Sequence, residues 1–436
     1  ALQTPLALLN PYVTIAGQTA PGGGILLAGV AGNTNLLRIH THHVIMRYLR
    51  LRDAFGGLVG GIGQSPLGIG NGSENVIIDH CSVSWGSDDN QIWNSAPAAS
   101  DIRNITIQYC LFAESLAAHS TGLLVGGTGS YEMLPPIGAY HQPRWEEYLK
   151  VYNISLHHNL FIHNFDRNPR VRSAGTQVIN NVVYNWGSRV GVSDMKNWLD
   201  LINNYWKPGP MSGDLIYKHE STNISTGAVY PDPSIYIAGN IVEGSFENPW
   251  ADNWGLITRS PTPDDPSQGP LPLSYRRFSR LGSGPYPIGV QSAANAYKTV
   301  LANVGANARL DGQGLWVSNL DSVDQRLLAD IAANTGWNSP VASPEAAGGF
   351  PFIAGGAPYQ DTDHDGMPDQ WEQKNRLNPN NPQDGNVVRR NGYTNLETFL
   401  NGPVRRSYVG GFDSGGSTLR RVKSLVRRAF LLFGSC

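Results

Sequence analysis

Residues 167–172 read RNPRVR. Three guanidinium groups around one proline put fixed, planar cations on a short run of strand-forming residues. In an extended chain Arg170 and Arg172 share a face. Pro169 marks a bend or an exposed edge, because it cannot donate to a central ladder. A row of guanidiniums can grip carboxylates bidentately, and a uronic-acid polymer presents carboxylates at regular intervals. A solvated basic strand paired with nearby Asp is the other reading. Asp88 and Asp89, in SWGSDDN, are a second feature. An Asp-rich turn is the plain alternative there. The third is DTDHDGMPDQWE, residues 361–372, which fits the calcium-loop pattern D-x-D-x-D-G-x5-E. Asp361, Asp363 and Asp365 take loop positions 1, 3 and 5, and Gly366 makes the sharp turn. Met367 offers its backbone carbonyl, Asp369 stands at position 9, and Glu372 is the bidentate ligand at position 12.

The elements that would carry these residues follow from a repeat. The stretches NVIIDHCSVSWG (75–86), NITIQYCLFAE (104–114), NISLHHNLFIHN (153–164), TQVINNVVYNWG (176–187), WLDLINNYWKPG (198–209) and SIYIAGNIVEG (234–244) share one plan. Each is a short apolar strand, a polar corner, then a second short strand. Cys81, Cys110, Asn159, Asn181, Asn204 and Asn240 occupy the same place in each, and two of the steps are 22 and 23 residues. Several short strands per period of this length predict a parallel β-helix, with coils stacked about 4.8 Å apart. The asparagines then form a buried ladder in which each amide bonds its neighbour and the turn backbone. Cys81 and Cys110 continue it as small buried thiols.

The chain opens inside the repeat, with PYVTIAGQTAPGGGILLAG (11–29) as an early coil and no capping helix in view. An uncapped solenoid end allows end-to-end self-association. We expect the β-helix over 1–245, a loop and helical segment packing on it over 246–339, and an Ala/Gly/Pro-rich linker over 340–358. A calcium-loop module follows at 359–402 and a basic amphipathic tail at 403–436. Helical patterns run over 291–305 and 321–336. NGYTNLETFLNG (391–402) resembles the end of a second calcium loop without its early acidic positions, so one good site is expected. The pair resembles dockerin-like or thrombospondin-type-3-like modules of extracellular proteins. The tail would suit a membrane surface or a partner helix, or is a flexible terminal segment.

Composition narrows the class. A net charge of −2 over 436 residues argues against a nucleic-acid partner. No apolar run is long enough for a transmembrane helix. Three cysteines do not make a disulfide framework. Sequons at Asn71, Asn104, Asn153 and Asn223 are compatible with a secreted glycoprotein, although Asn followed by a strand explains most of them.

The stretches 75–89 and 157–187, with the opening NPYVTIAGQTAPGGGI, resemble the pectate lyase family, polysaccharide lyase family 1. The signature R-x-P-x-x-R is Arg167, Pro169 and Arg172. The resemblance covers about residues 10–245. It implies an all-β fold, a right-handed parallel β-helix, and calcium-assisted β-elimination of polygalacturonate in the extracellular space. By the same resemblance Arg167 is the base, Arg172 binds substrate carboxylate with Arg170 beside it, and Asp88 and Asp89 hold the catalytic calcium. An arginine base, with an ordinary pKa of about 12.5 or more, needs substrate, calcium and neighbouring cations to lower that value, so an alkaline optimum follows. Two positions depart from the family. The coil before NVIIDHC has no Asp, only Glu74 at its far end, and Thr121 stands where a substrate-binding Lys is usual. Those departures keep open a binding or structural β-helix that has lost catalysis. A hydrolase would need paired carboxylates facing one cleft, which Asp88 and Asp89 could not supply if they lay on a strand.

Overall fold

The computed structural model describes residues 2, 4–29, 35–54, 63–94, 100–127, 150–194, 196–221, 232–260, 269–282 and 288–402. Among them run three parallel sheets of nine, eight and eight strands. Within each sheet every strand pairs with the strand one coil before and one coil after, so the chain visits the three sheets in turn and winds a parallel β-helix. Side chains alternate strictly. In the strand Arg170–Arg172 the middle residue is buried and the two arginines are not. Leu67, Ile92, Val125 and Val171 fill the interior at successive coils.

The corner between the second and third sheets explains the repeat. It consists of one residue in the left-handed conformation followed by one ladder residue. His80, Tyr109, His158, Asn180 and Asn203 have φ of 52°, 50°, 56°, 56° and 49°. Behind each comes Cys81, Cys110, Asn159, Asn181 or Asn204. The ladder is continuous. Cys110 N donates to Asn159 Oδ1 at 2.9 Å, Asn159 N to Asn181 Oδ1 at 3.0 Å, Asn181 N to Asn204 Oδ1 at 2.9 Å and Asn204 N to Asn240 Oδ1 at 2.9 Å. It runs one residue beyond the repeat, to Asn253, whose Oδ1 accepts from Asn240 N. Cys81 and Cys110 are buried free thiols. Outside this ladder the left-handed residues stack their rings, Tyr48 on His80 at 4.8 Å, His80 on Tyr109 at 4.9 Å and Tyr109 on His158 at 5.0 Å.

Asn204→Leu should therefore be costly. The amide of Asn204 donates to Val178 O and Asn240 Oδ1 and accepts from Asn181 N. Leucine would leave Asn181 N without this acceptor and Val178 O without this donor, at about 1–3 kcal/mol each, while Asn240 Oδ1 keeps the backbone N–H of residue 204. We expect denaturant unfolding to lose at least roughly 2 kcal/mol, and a midpoint within error of wild type would refute the ladder's weight.

Buried histidines set a second expectation. Burial pushes His219 down to about 4, and burial with its neighbour His158 pushes His157 to about 3. Both are neutral in the fold, with folded values below the unfolded value near 6.5. Their contribution is thus complete above pH 6.5 and lost as pH falls toward 4. For His219 the loss is roughly 3 kcal/mol at 1.36 kcal/mol per pKa unit. Urea midpoints should fall steeply from pH 6.5 to 4.5, and His219→Gln should flatten that slope.

The solenoid does not stop at 245. Ile257–Arg259 pairs with Leu215–Glu220 as the ninth strand of the first sheet, and Trp254 and Leu271 join its core. Beyond it α1 (Ala293–Asn303) and α2 (Ser322–Ala333) bury Val300, Leu327 and Ile331 against Leu111, Leu160 and Val182 of the third sheet. Residues 340–358, expected as a linker, are instead fastened to the solenoid. Val341 O accepts from Ala117 N at 2.8 Å, Ala354 O accepts from Gly23 N at 2.7 Å, and Phe350 packs edge-on to Trp85. A Gly/Ala/Pro-rich composition permits a close-lying strap as readily as a free linker. The tail at 403–436, most of the loop at 125–150, and Asn223 lie outside the described residues.

Candidate active site and candidate metal centre

The outer face of the first sheet collects the arginines. Arg167 takes a left-handed conformation, φ 61°, directly before the cis Asn168–Pro169 bond and the strand Arg170–Arg172. Its guanidinium pairs with Oδ2 of Asp89. Asp89 lies in the turn before the strand Asn90–Asn94 rather than within it, because Ser87 N and Asp88 N both donate to Gln64 O and bend the chain. The opposite-face condition that would separate Asp88 from Asp89 on a strand is therefore not met. Asp88 accepts from Asp89 N and pairs with His119 Nδ1, both at 2.8 Å. Burial holds Asp89 above the ordinary carboxylate range despite Arg167, whereas His119 and the Asp89 N–H outweigh burial and bring Asp88 below it.

Arg170 and Arg172 share a face, as their spacing predicts, but neither guanidinium is open. Arg172 grips Asp194 through Nε and Nη2 at 3.1 and 2.9 Å. Arg170 pairs with the same carboxylate and, at 3.0 Å, with Glu220. Arg189 binds Asp166 with two bonds of 2.8 Å and reaches Glu220 at 3.1 Å. Burial alone would raise Asp194, and Arg170 and Arg172 more than offset it. The row of cations is thus a woven network of four guanidiniums (Arg167, Arg170, Arg172, Arg189) and four carboxylates (Asp89, Asp166, Asp194, Glu220), with Asp88 and His119 paired alongside. Asp194 was readable in principle, since it lies 22 residues beyond Arg172, one coil step. Glu74 is not part of the site. It starts a strand of the second sheet and pairs with Arg103 at 2.8 Å. The residue of that coil beside Asp88 is Gln64, whose buried amide has neither atom hydrogen-bonded.

A second constellation lies in 361–384. One oxygen from each of Asp361, Asp363 and Asp365 falls within a single 4.8 Å cluster, as does one from each of Asp365, Glu372 and Asp384. Backbone amides satisfy one oxygen apiece of the first three, from Gly366, Asp365 and Met367. Left buried without partners are Asp361 Oδ1, Asp363 Oδ2, Asp365 Oδ2, Asp384 Oδ1 and both oxygens of Glu372. Burial and mutual repulsion raise Asp365 to about 6 and Glu372 to about 7. A hard divalent cation fits these orphaned oxygens in number and kind. Gly366, at φ 91°, makes the turn. Met367 is buried, and its N–H already serves Asp365. Asp369 departs from the loop pattern: both its oxygens accept from Thr362. Asp384, which the pattern does not contain, stands in the cluster instead. Glu397 ligates nothing there, because it closes a capping box with Thr394 at the start of Asn395–Leu400. The module packs Met367, Trp371 and Phe399 on Leu310, and Leu400 O accepts from Gln18 and Arg47 at 3.0 and 2.8 Å.

Relatives place the chain. A probable pectate lyase C of Neosartorya fischeri is 30% identical over 409 residues, spanning 92% of this chain and 80% of the relative. The chain belongs to the pectate lyase family. A probable pectate lyase C of Aspergillus flavus is 29% identical over 412 residues, or 93% of this chain and 82% of that one. No family model matches. Among solved structures, a pectate lyase bound to hexasaccharide covers 64% of this chain and 67% of its own at 17% identity and a TM-score of 0.36. That superposition is too loose to bear on single residues. The repeat and the three parallel sheets stand on the chain itself, and membership of a lyase family turns attention to the outer face of the first sheet, where four arginines meet their carboxylates.

Proposed function

We propose that this pectate lyase-family chain cleaves a polygalacturonate-type acidic polysaccharide by β-elimination on the outer face of the first sheet, in the extracellular space. The observation that carries this reading is Arg167, held on that face by the buried Asp89 beside the Arg170–Arg172 strand. In the reaction a base removes the proton on C5, the C4–O bond breaks, a C4=C5 double bond forms, and the departing oxygen takes a proton from solvent. Arg167 would accept the C5 proton, which its ordinary basicity permits only in an environment that disfavours the guanidinium. Arg172 and Arg170 would orient substrate carboxylates, their positions set by Asp194 and Glu220.

Calcium fits this reading in part. Asp89 keeps one buried oxygen without a hydrogen bond, and Gln64 keeps an unbonded amide oxygen in the adjoining coil. Asp88 and Asp89, completed by substrate oxygens, would hold the ion. When bound it would neutralise the substrate carboxylate and stabilise the charge that develops on it. The pairing on this face favours such a need, because each of its four guanidiniums is already matched to a protein carboxylate. The cluster at 361–384 would take a second calcium ion, in a structural role, in the manner of dockerin-like modules.

The same pairing suits a second reading, a β-helix that has lost catalysis and serves as a polysaccharide-binding or structural protein, its arginines held by its own carboxylates. Incubation with polygalacturonate at alkaline pH separates the two. Calcium-dependent growth of the ultraviolet band of unsaturated uronate is expected. Retention on the polymer without that band would favour binding alone.

A further inference from the structure

We propose that Trp93, with Arg172 leaning over it from one side and Arg38 on the same outer face one coil beyond its strand on the other, forms a polymer-binding subsite for uronate units remote from the bond being broken. This rests on the lyase reading above and adds the part of the groove that reads substrate length and charge.

The register of the first sheet sets the arrangement. Trp93 pairs with Gly126, Gly126 with Arg172, and Arg38 with Gly68, which in turn pairs with Gln91 of the Trp93 strand. The two intervening positions are glycines, and the long side chains occupy the space they leave. A Cβ on Gly126 would lie 2.1 Å from Arg172 Cγ, and one on Gly68 would lie 2.0 Å from Arg38 Nη1. His40 covers Gly70 in the same way, with Cε1 2.2 Å from where a Cβ would sit. Arg172 thus crosses one coil toward Trp93, and its guanidinium carbon stands 5.7 Å from the indole centroid. Arg38 crosses Gly68 from the other direction, toward Gln91, which stands two residues before Trp93 on the same outward side of that strand. Trp93 is half-buried between buried Ile92 and Asn94, so its ring faces outward.

Arg38 differs from the arginines of the catalytic network. Each of Arg167, Arg170, Arg172 and Arg189 has a carboxylate partner. Among the described residues Arg38 makes no ion pair, and its hydrogen bond is a long one, 3.4 Å, to Leu37 O. Burial lowers it to about 10, with the charge of Asp53 only partly offsetting the effect. A half-buried guanidinium of this kind is completed by a carboxylate from outside. The indole on the next strand of the same face offers a flat apolar surface for the C–H face of a sugar ring. Coils repeat at about 4.8 Å, close to one pyranose unit. A polymer lying along the solenoid from Arg172 would therefore present its carboxylates coil by coil and meet Arg38 after passing over Trp93.

The test compares Arg38→Gln and Trp93→Ala with wild type on polygalacturonate, trigalacturonate and methyl-esterified pectin. Thermal midpoints and the conservative Arg38→Lys and Trp93→Phe variants control for folding. We expect KM on polygalacturonate to rise roughly tenfold with a much smaller change in kcat. The ratio of kcat/KM on polymer to that on trigalacturonate should fall by a similar factor, with partial recovery in the conservative variants. Methyl-esterified pectin should lose the Arg38 effect and keep the Trp93 effect. Folded variants with wild-type KM on polygalacturonate, while wild type cleaves it, would overturn the subsite and leave the lyase reading standing. Equal losses on esterified and free polymer would overturn the carboxylate assignment to Arg38. A wild-type protein that neither cleaves nor is retained by polygalacturonate would overturn the lyase reading and this inference with it.

Discussion

Arg167→Ala should lower formation of unsaturated product about a thousandfold, within the 10²–10⁴ range that a positioned proton-transfer group supplies. The measurement is initial ultraviolet absorbance on polygalacturonate with excess calcium, across alkaline pH. A structural confound accompanies it. Asp89 is buried, its Oδ1 has no hydrogen bond, and its Oδ2 is held by Arg167. Removing the arginine alone leaves an uncompensated buried charge, which costs on the order of 3–5 kcal/mol. The companion protein is therefore Arg167→Lys, which keeps a cation beside Asp89 and leaves that proposed calcium ligand in place. If Arg167 acts on the substrate, Arg167→Lys recovers thermal stability and stays well below wild-type activity. Arg167→Ala retaining more than a tenth of wild-type activity would remove Arg167 from the chemistry. An inactive Arg167→Ala whose activity returns fully in Arg167→Lys would show that Arg167 serves only to neutralise Asp89.

Chelation should open the module at 359–402 before it affects the solenoid. Asp361, Asp363, Asp365, Glu372 and Asp384 converge, with six of their oxygens buried and unbonded. Without a cation their like charges repel. With calcium at a hundred times its dissociation constant the gain is about 2.7 kcal/mol. Hydrogen exchange or limited proteolysis resolved along the chain is the proper measure, since a chain built of several units need not unfold in one step. Protection within 361–400 should fall in chelator and return with calcium. Glu372→Gln gives a result of opposite sign in the two conditions: it relieves repulsion and raises protection in chelator, yet weakens calcium binding at least roughly tenfold. Asp384→Asn should do the same, and Asp369→Asn should not weaken binding, because both oxygens of Asp369 already serve Thr362. Calcium binding unchanged by Glu372→Gln would place the ion elsewhere. If Asp88 and Asp89 hold the catalytic ion as proposed, polymer cleavage by these variants should respond to calcium as wild type does, because the module supplies neither residue.

Much of the architecture could be read from residue spacing. Asn159, Asn181 and Asn204 recur at one coil step, and a buried amide ladder is the arrangement that step allows. The same step would have led from Arg172 to Asp194. Asn253 escaped it because it follows Asn240 by 13 residues, where the coil is cut short. The outer stack of Tyr48, His80, Tyr109 and His158 escaped for a different reason: no single residue type marks it, and the common requirement is a left-handed backbone with a flat side chain.

Periodicity by itself determined the β-helix, the buried thiols, the inward and outward faces, and the two amphipathic helices, because each depends on contacts one turn or one coil away. The calcium-loop pattern likewise located Asp361, Asp363, Asp365 and Glu372, since a single tight loop converges them. Only the tertiary structure decided the rest. It paired Arg170 and Arg172 with a protein carboxylate, turned Asp369 to Thr362, brought Asp384 from a separate segment into the cluster, tied residues 340–358 to the solenoid, and left Arg38 on the outer face of the first sheet without an ion pair among the described residues. Each of these outcomes depends on which side chains three-dimensional packing brings within bonding distance and cuts off from water, and no fixed interval along the chain encodes that choice.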